Sequence, residues 1–139
     1  MISLIELANL SSILALKAEY LQRLVAPMDG MWDIGFTNPA PHWEIRMDGE
    51  QAGYYAANDE GTLLQFHVRS SFEKHGQALF SHVIAQGSMK QAVVSTIDPF
   101  FLSLCLDVQK KVTVHTIQYE VHTEVLPDHP DAAGLDFAW

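Results

Sequence analysis

The chain has one cysteine, Cys105, among 139 residues, so no internal disulfide can form and no second thiol stands at zinc-like spacing. It is short of cations. Eight Lys and Arg against seventeen Asp and Glu leave a formal charge of -9. A field of that sign repels phosphate backbones, and the longest basic run is Lys110-Lys111, so no nucleic-acid partner is expected. Long apolar runs are also lacking. The stretch MISLIELANLSSILALKAEY carries Glu6 early, has polar interruptions and lacks a basic head, so it reads neither as a membrane span nor as an export signal. A cytoplasmic protein with no membrane association is the expectation. Repeats and Pro/Gly/Ser-rich linkers are missing too, which predicts a single domain over residues 1–139.

What is present suits a packed domain: 48% hydrophobic residues, including seven Phe, four Tyr and three Trp, against 18% charged. Ile2 to Leu7 reads as a strand. Leu10, Ile13, Leu14, Leu21, Leu24 and Val25 recur at helical steps, with Asn9 or Ser11 as cap and Pro27 beyond the end. Residues 27–42 read as a long loop with room for a helical turn, and loops of that length are often functional. HWEIRM and EQAGYYAAN pair as strands across Asp48-Gly49, a strong two-residue hairpin signal, and TLLQFHV follows as a third. Leu79, Phe80, Val83 and Ile84 make the stripe of a helix over 77–86. A parallel strand is expected over 91–97, then a helix opened by Asp98-Pro99, an alternating strand over 112–122 and a closing strand at 135–139. The fold class is α/β, a mixed antiparallel and parallel sheet flanked by helices.

The connection after Val68 carries the chemistry. An apolar strand stops at Arg69-Ser70-Ser71, and Lys74, His75 and Gly76 stand where a helix begins. A helix start has unpaired backbone N–H groups and a partial positive charge, a ready anion site. Gly76 lets a ligand approach the backbone, and Lys74 and His75 add local positive charge. The plain alternative is an ordinary strand–turn–helix junction.

The stretch Val68–Phe80, with this element order, resembles the GNAT superfamily of acyl-CoA-dependent N-acyltransferases. The likeness covers roughly residues 1–122. Its Gln/Arg-x-x-Gly-x-Gly/Ala turn corresponds to Glu73-Lys74-His75-Gly76-Gln77-Ala78, with Glu73 in place of the usual residue. The family's Asn-x-x-Ala-x-x-Leu-Tyr stretch corresponds to residues 98–105, where Asp98 replaces the asparagine and Cys105 the tyrosine. The resemblance implies acetyl-CoA as co-substrate. Its diphosphate would lie on Ser71, Glu73, Lys74, His75, Gly76, Gln77 and Ala78, its pantetheine along Phe66, His67 and Val68, with Asp98 beside it. The implied reaction is acetyl transfer to a primary amine of a small molecule or peptide.

Within that implied reaction Cys105, or nearby Ser103, is the candidate acid toward the thiolate, and His67 and Glu44 are candidate bases. Trp32, Phe36, Trp43 and Tyr54 are candidates for an acceptor pocket, and the acidic surface favours a cationic small molecule in it. Plain readings stand beside each: Cys105 as a small buried hydrophobe, His67 as a hydrogen-bonded core residue, Glu44 as a solvated strand residue. No metal is expected, since His115 and His122 fall on opposite strand faces. A homodimer would use edges near the C-terminus. A catalytically silent CoA-binding or protein-interaction module on the same fold is the alternative function, and an unrelated α/β module the third.

Overall fold

The computed structural model describes residues 1–28 and 30–114, apart from the side chains of Met31 and Phe36. The chain divides into two compact units, Met1–Val108 and Gln109–Trp139. In the first, the order is β1 (Ile2–Glu6), α1 (Leu14–Arg23), β2 (His42–Met47), β3 (Glu50–Ala57), β4 (Thr62–Val68), α2 (Gly76–Ile84), β5 (Gln91–Ala92) and α3 (Pro99–Val108). The five strands lie in the order β1-β2-β3-β4-β5, the first four antiparallel and β5 parallel to β4. The mixed sheet flanked by helices is the one the sequence predicts. Of the second unit, residues 109–114 form no helix or strand, so the strand expected from Val112 does not start there. The rest of that strand, the closing strand at 135–139, His115 and His122 lie outside the described residues.

Local chemistry explains several boundaries. Asp48 and Gly49 take φ of 53° and 85°, the two left-handed positions a tight hairpin needs. Asn9 Oδ1 accepts the Ser11 N–H at 2.9 Å just ahead of the 3-10 turn Ser11–Ile13, but that turn starts from Leu10 and α1 from Ile13, neither with a side-chain cap, so the expected Asn9 or Ser11 cap of the helix is not formed. The long loop contains a π-helical segment, Met31–Thr37.

Alternation along the strands separates two layers. Glu44, Tyr54 and His67 are aligned on one face, and Trp43, Tyr55 and Phe66 on the other. The first face packs on α1 through Ile13, Leu16, Tyr20 and Tyr54. The second packs on α2 and α3, where the rings of Phe66 and Phe80 meet edge-on at 5.1 Å and Phe101 lies 6.3 Å from each. The apolar stripe of α1 differs from the expected one. Ile13, Leu16 and Tyr20 are buried, while Leu14, Leu21 and Val25 face solvent. Two overlapping sets of three- and four-residue steps exist in this segment, and the set that includes tyrosine is the one that meets the sheet.

A second correction concerns β5. The expected seven-residue strand pairs with β4 only at Thr62↔Gln91 and Leu63↔Ala92, followed by the Val93 N–H bonded to the Leu63 carbonyl at 3.0 Å. The chain then turns at Ser95, whose carbonyl accepts the Asp98 N–H at 3.1 Å, and enters α3. Of its two valines, Val94 packs on the core. Leu64–Val68 thus run on without a partner strand on that side among the described residues. A gap opens between β4 and the chain entering α3.

Close backbone approach within the sheet gives a sharp test. A Cβ on Gly53 would collide with the His67 carbonyl oxygen and stand 3.0 Å from the Val68 Cα. Gly53→Ala is expected to lower the unfolding free energy by about 1–3 kcal/mol or more, as overpacking does. Urea denaturation measures it.

Candidate active site

Where β4 ends, three elements meet around a cavity of about 80 Å3 lined by Tyr20, Arg23, Phe66, His67, Asp98, Pro99 and Phe100. The end of α1 is tied there by its exit, since the Val25 N–H donates to the Ile97 carbonyl at 3.0 Å. Asp98 is the N-cap that the Asp-Pro pair predicts: its Oδ1 accepts the Phe101 N–H at 3.1 Å. Its other oxygen, Oδ2, is buried and completes no hydrogen bond among the described residues, although the Tyr20 hydroxyl interacts with the carboxylate. Burial raises the Asp98 carboxyl above the ordinary carboxylate range, against the lowering effect of the Phe101 N–H, Tyr20 and Arg23. Burial, with Asp98 adding to it, holds the Tyr20 phenol far above its usual value.

His67 is buried on the same side, 5.7 Å edge-on from the Tyr20 ring. Burial first and the Arg23 charge second push its imidazole down to about 3, so it is neutral at any working pH. Arg23 Nη1 faces its Nδ1 at 3.4 Å, which places the imidazole proton on Nε2. Nε2 lies 3.5 Å from Glu19 Oε1 and has no partner at hydrogen-bond geometry among the described residues. Two buried polar atoms, Asp98 Oδ2 and His67 Nε2, are therefore unsatisfied at one cavity, and each such atom needs a water or a ligand.

The turn between β4 and α2 is a 3-10 run, Ser70–His75, leading directly into α2. Arg23 straps it to α1: Nη2 donates to Glu73 Oε1 and Nη1 to the Val68 carbonyl, both at 2.6 Å. Glu19 adds a second tie by accepting the Ser70 N–H at 3.3 Å. The Arg23 guanidinium lies 5.0 Å from the centre of the Phe100 ring. That ring in turn accounts for Gly76, because a Cβ there would stand 2.8 Å from its tip. The Gly76 N–H is spent on the Glu73 carbonyl. Lys74, Gln77 and Ala78 are exposed and His75 half-buried.

The remaining candidates are scattered. Cys105 is half-buried on α3 beside the aromatic core, does not line the cavity, and burial pushes its thiol up to about 11. Glu44 is buried, ion-paired with Arg46 and hydrogen-bonded by Gln51 at 3.0 Å. The Tyr54 hydroxyl donates to Gln65 at 2.6 Å, beneath α1. Trp43 lies on the opposite face of the sheet, stacked on Tyr55 at 5.0 Å, so it cannot share a pocket with Tyr54. Trp32 is half-buried in the π-helical segment, and the Phe36 side chain lies outside the described part. Tyr20, Arg23, Glu19 and a partly buried Lys17 were not anticipated. Burial lowers Lys17 to about 8, and its ammonium bonds His42 Nε2 at 3.0 Å, whose ring burial and Lys17 hold at about 4. The one available signal was Glu73 itself, a carboxylate on a helix-start turn that calls for a cation nearby. Among the described residues, no group of three or more His, Cys, Asp and Glu could hold a metal ion, and no helix is long and apolar enough to cross a membrane.

Comparison with known proteins follows the same lines. Residues 9–122 match the family model of the acetyltransferase (GNAT) domain. The chain belongs to the GNAT family. An acetyltransferase of this family from Colwellia psychrerythraea is 33% identical over 76% of this chain, with a TM-score of 0.70. The match takes in 41% of that protein, so this GNAT chain spans about two-fifths of its relative's length. The ribosomal-protein-alanine N-acetyltransferase of Brucella melitensis biovar Abortus 2308 shares the fold at 16% identity and a TM-score of 0.58, covering 87% of this chain and 99% of that one. AAC(6')-Iy, solved with a CoA bisubstrate analogue, is 14% identical with a TM-score of 0.50, covering 88% and 99% respectively. No curated protein matches.

The buried imidazoles set a pH dependence. Both folded values, about 4 for His42 and about 3 for His67, lie below the ordinary 6.5, so the unfolded chain binds more protons between them. Their stabilising share is complete above 6.5 and is lost as pH falls toward 4 and then 3. The urea midpoint should drop across that window, and drop less steeply in His67→Gln. Asp98 has the opposite sign. Its raised folded pKa makes ionisation costly to the fold, so Asp98→Asn, which keeps the cap, should melt a few degrees higher at neutral pH. That advantage should shrink as acid protonates the wild-type carboxyl.

Proposed function

We propose that the chain transfers an acetyl group from acetyl-CoA to a primary amine of a small molecule or peptide. One observation carries this reading: β4 and β5 part after two paired residues, beside a cavity with two unsatisfied buried polar atoms. A pantetheine arm is a chain of amides and fits such a gap as an added strand along Phe66, His67 and Val68. The diphosphate would reach the turn at Ser71, Glu73, Lys74, His75, Gly76, Gln77 and Ala78. A main-chain N–H of β4 would polarise the thioester carbonyl.

The amine nitrogen attacks the carbonyl carbon, the new C–N bond forms, and the C–S bond breaks to release the thiolate. The nitrogen must lose a proton and the sulfur must gain one. Asp98 is the group we assign to both, because burial raises its carboxyl above the ordinary carboxylate range, it lines the cavity, and its Oδ2 has no hydrogen-bond partner among the described residues. His67 is too weak a base, and Cys105 stands away from the cavity, so His67 orients and Cys105 packs in this reading. Glu44 is held by Arg46 and Gln51 as a structural residue, with Tyr54 and Gln65 beside it on the sheet. The net charge of -9 favours a cationic acceptor.

The alternative, a silent CoA-binding module, is favoured by the Phe100 ring over Gly76 and the small cavity volume. Calorimetric titration with acetyl-CoA followed by a thiol-release screen over amines separates them. Binding with turnover is expected, and Cys105→Ala should retain it while Asp98→Asn loses about a hundredfold or more in turnover. Binding without thiol release would leave the silent module, and no binding at high micromolar acetyl-CoA would end both readings.

A further inference from the structure

A second and larger cavity lies at the other end of β4, on the face of the sheet that packs on α2. It holds about 310 Å3, against about 80 Å3 at Asp98, which is within the range of small-molecule sites. One wall is apolar: Trp43 and Tyr55, stacked 5.0 Å apart with planes 8° from parallel, beside Ala57 and Met89. Its charged member is a carboxylate, Asp59 of the β3–β4 turn, exposed and in no ion pair among the described residues. Gln86 and Ser88 come just after α2, at the end where a helix dipole is negative. Main chain holds these parts together. A Cβ on Gly61 would stand 2.2 Å from the Ser88 carbonyl oxygen, and the Gly61 carbonyl accepts the Lys90 N–H at 2.8 Å. Glu6 adds negative charge nearby: it is aligned with Trp43 across β1 and β2, and after burial its charge is the second cause that raises the Tyr55 phenol to about 12.

We propose that this cavity binds an organic cation of the alkylammonium class, its carbon groups against Trp43, Tyr55 and Met89 and its charge toward Asp59. Aromatic surface beside a carboxylate suits such a head, which is weakly hydrated and positive at once. An anion would meet Asp59, Glu6 and the carbonyl end of a helix, and a neutral apolar ligand would gain nothing from any of them. Lys90, exposed and with its stem beside Gly61, is the protein cation that opposes such a ligand. The site is separate from the one at Asp98. It lies by Thr62 at the start of β4, and Val68 at the strand's other end is about 20 Å away. The inference therefore does not depend on the acetyl-CoA reading.

Nuclear magnetic resonance titration of the intact chain with choline tests this, with neohexyl alcohol, in which carbon replaces the nitrogen, as the uncharged analogue. The chain has three tryptophans, and Trp43→Phe identifies the Trp43 indole N–H signal. That signal should shift saturably at millimolar choline and fixed ionic strength. The alcohol should bind about fivefold more weakly or worse, having neither the ion pair nor the attraction to the rings. Asp59→Asn should weaken choline about two- to fivefold, the range of an exposed ion pair, and Lys90→Gln should tighten it by up to about twofold. Neither change should alter binding of the alcohol. Both positions are exposed, and circular dichroism melting checks that each variant is folded. Equal affinity for choline and the alcohol, or choline binding unchanged in Asp59→Asn, overturns the proposal. So does the lack of any saturable shift of the Trp43 signal at high millimolar choline.

Discussion

The pairing of β5 with β4 ends after Ala92, and within six residues the chain turns at Ser95 and is capped into α3 by Asp98. Asp98 and Pro99 start α3 where β5 would otherwise continue along β4, and the Asp98 N–H closes a turn onto Ser95. Had that segment stayed extended, its valines would have zipped onto Leu64–Val68, and neither cavity nor gap would exist. The aspartate that opens α3 is then left with one oxygen buried and unsatisfied. Fold and site share a residue, and the chemistry of the site is a consequence of the cap.

Helix α1 closes the other side. It lies across the face of β2, β3 and β4 that carries His42, Tyr54, Gln65 and His67, all buried polar side chains. Such a layer is costly unless each group finds a partner. Lys17 satisfies His42 and Gln65, and Gln65 also receives the Tyr54 hydroxyl. Within this layer the matching fails at His67 Nε2, and beyond it Thr37 Oγ1 of the π-helical segment is likewise buried without a partner among the described residues.

How much of this could be read in advance depended on range. The Asp48-Gly49 hairpin, the Leu79-Phe80-Val83 stripe and the Asp98-Pro99 cap were legible, because each is decided by a few adjacent residues. The turn at 73–78 was legible as a family motif, but the role of its glycine was not, since the ring that needs the space arrives from α3. Trp43 and Tyr54 were misjudged as neighbours, although alternation along paired strands separates them onto two faces. Arg23 was invisible: the salt bridge to Glu73 crosses 50 positions, and no local pattern marks the last residue of a helix as part of a distant turn.

Charge then constrains what the corner can be. Glu73 pairs with the Arg23 guanidinium, Asp98 feels its charge and Glu19 stands by His67, in a chain that already carries an excess of acid. Two of those carboxylates are ordinary in their exposure, and the third is buried deeply enough to hold a proton more readily than usual. An anionic ligand gains little from the long-range field of such a protein, so whatever affinity it has must come from short, directed bonds. A cationic acceptor gains from the same field at every distance. Under the proposed acetyl transfer, the acidic surface favours a positively charged amine, and the buried Asp98 carboxyl is the group offered to relieve that amine of its proton.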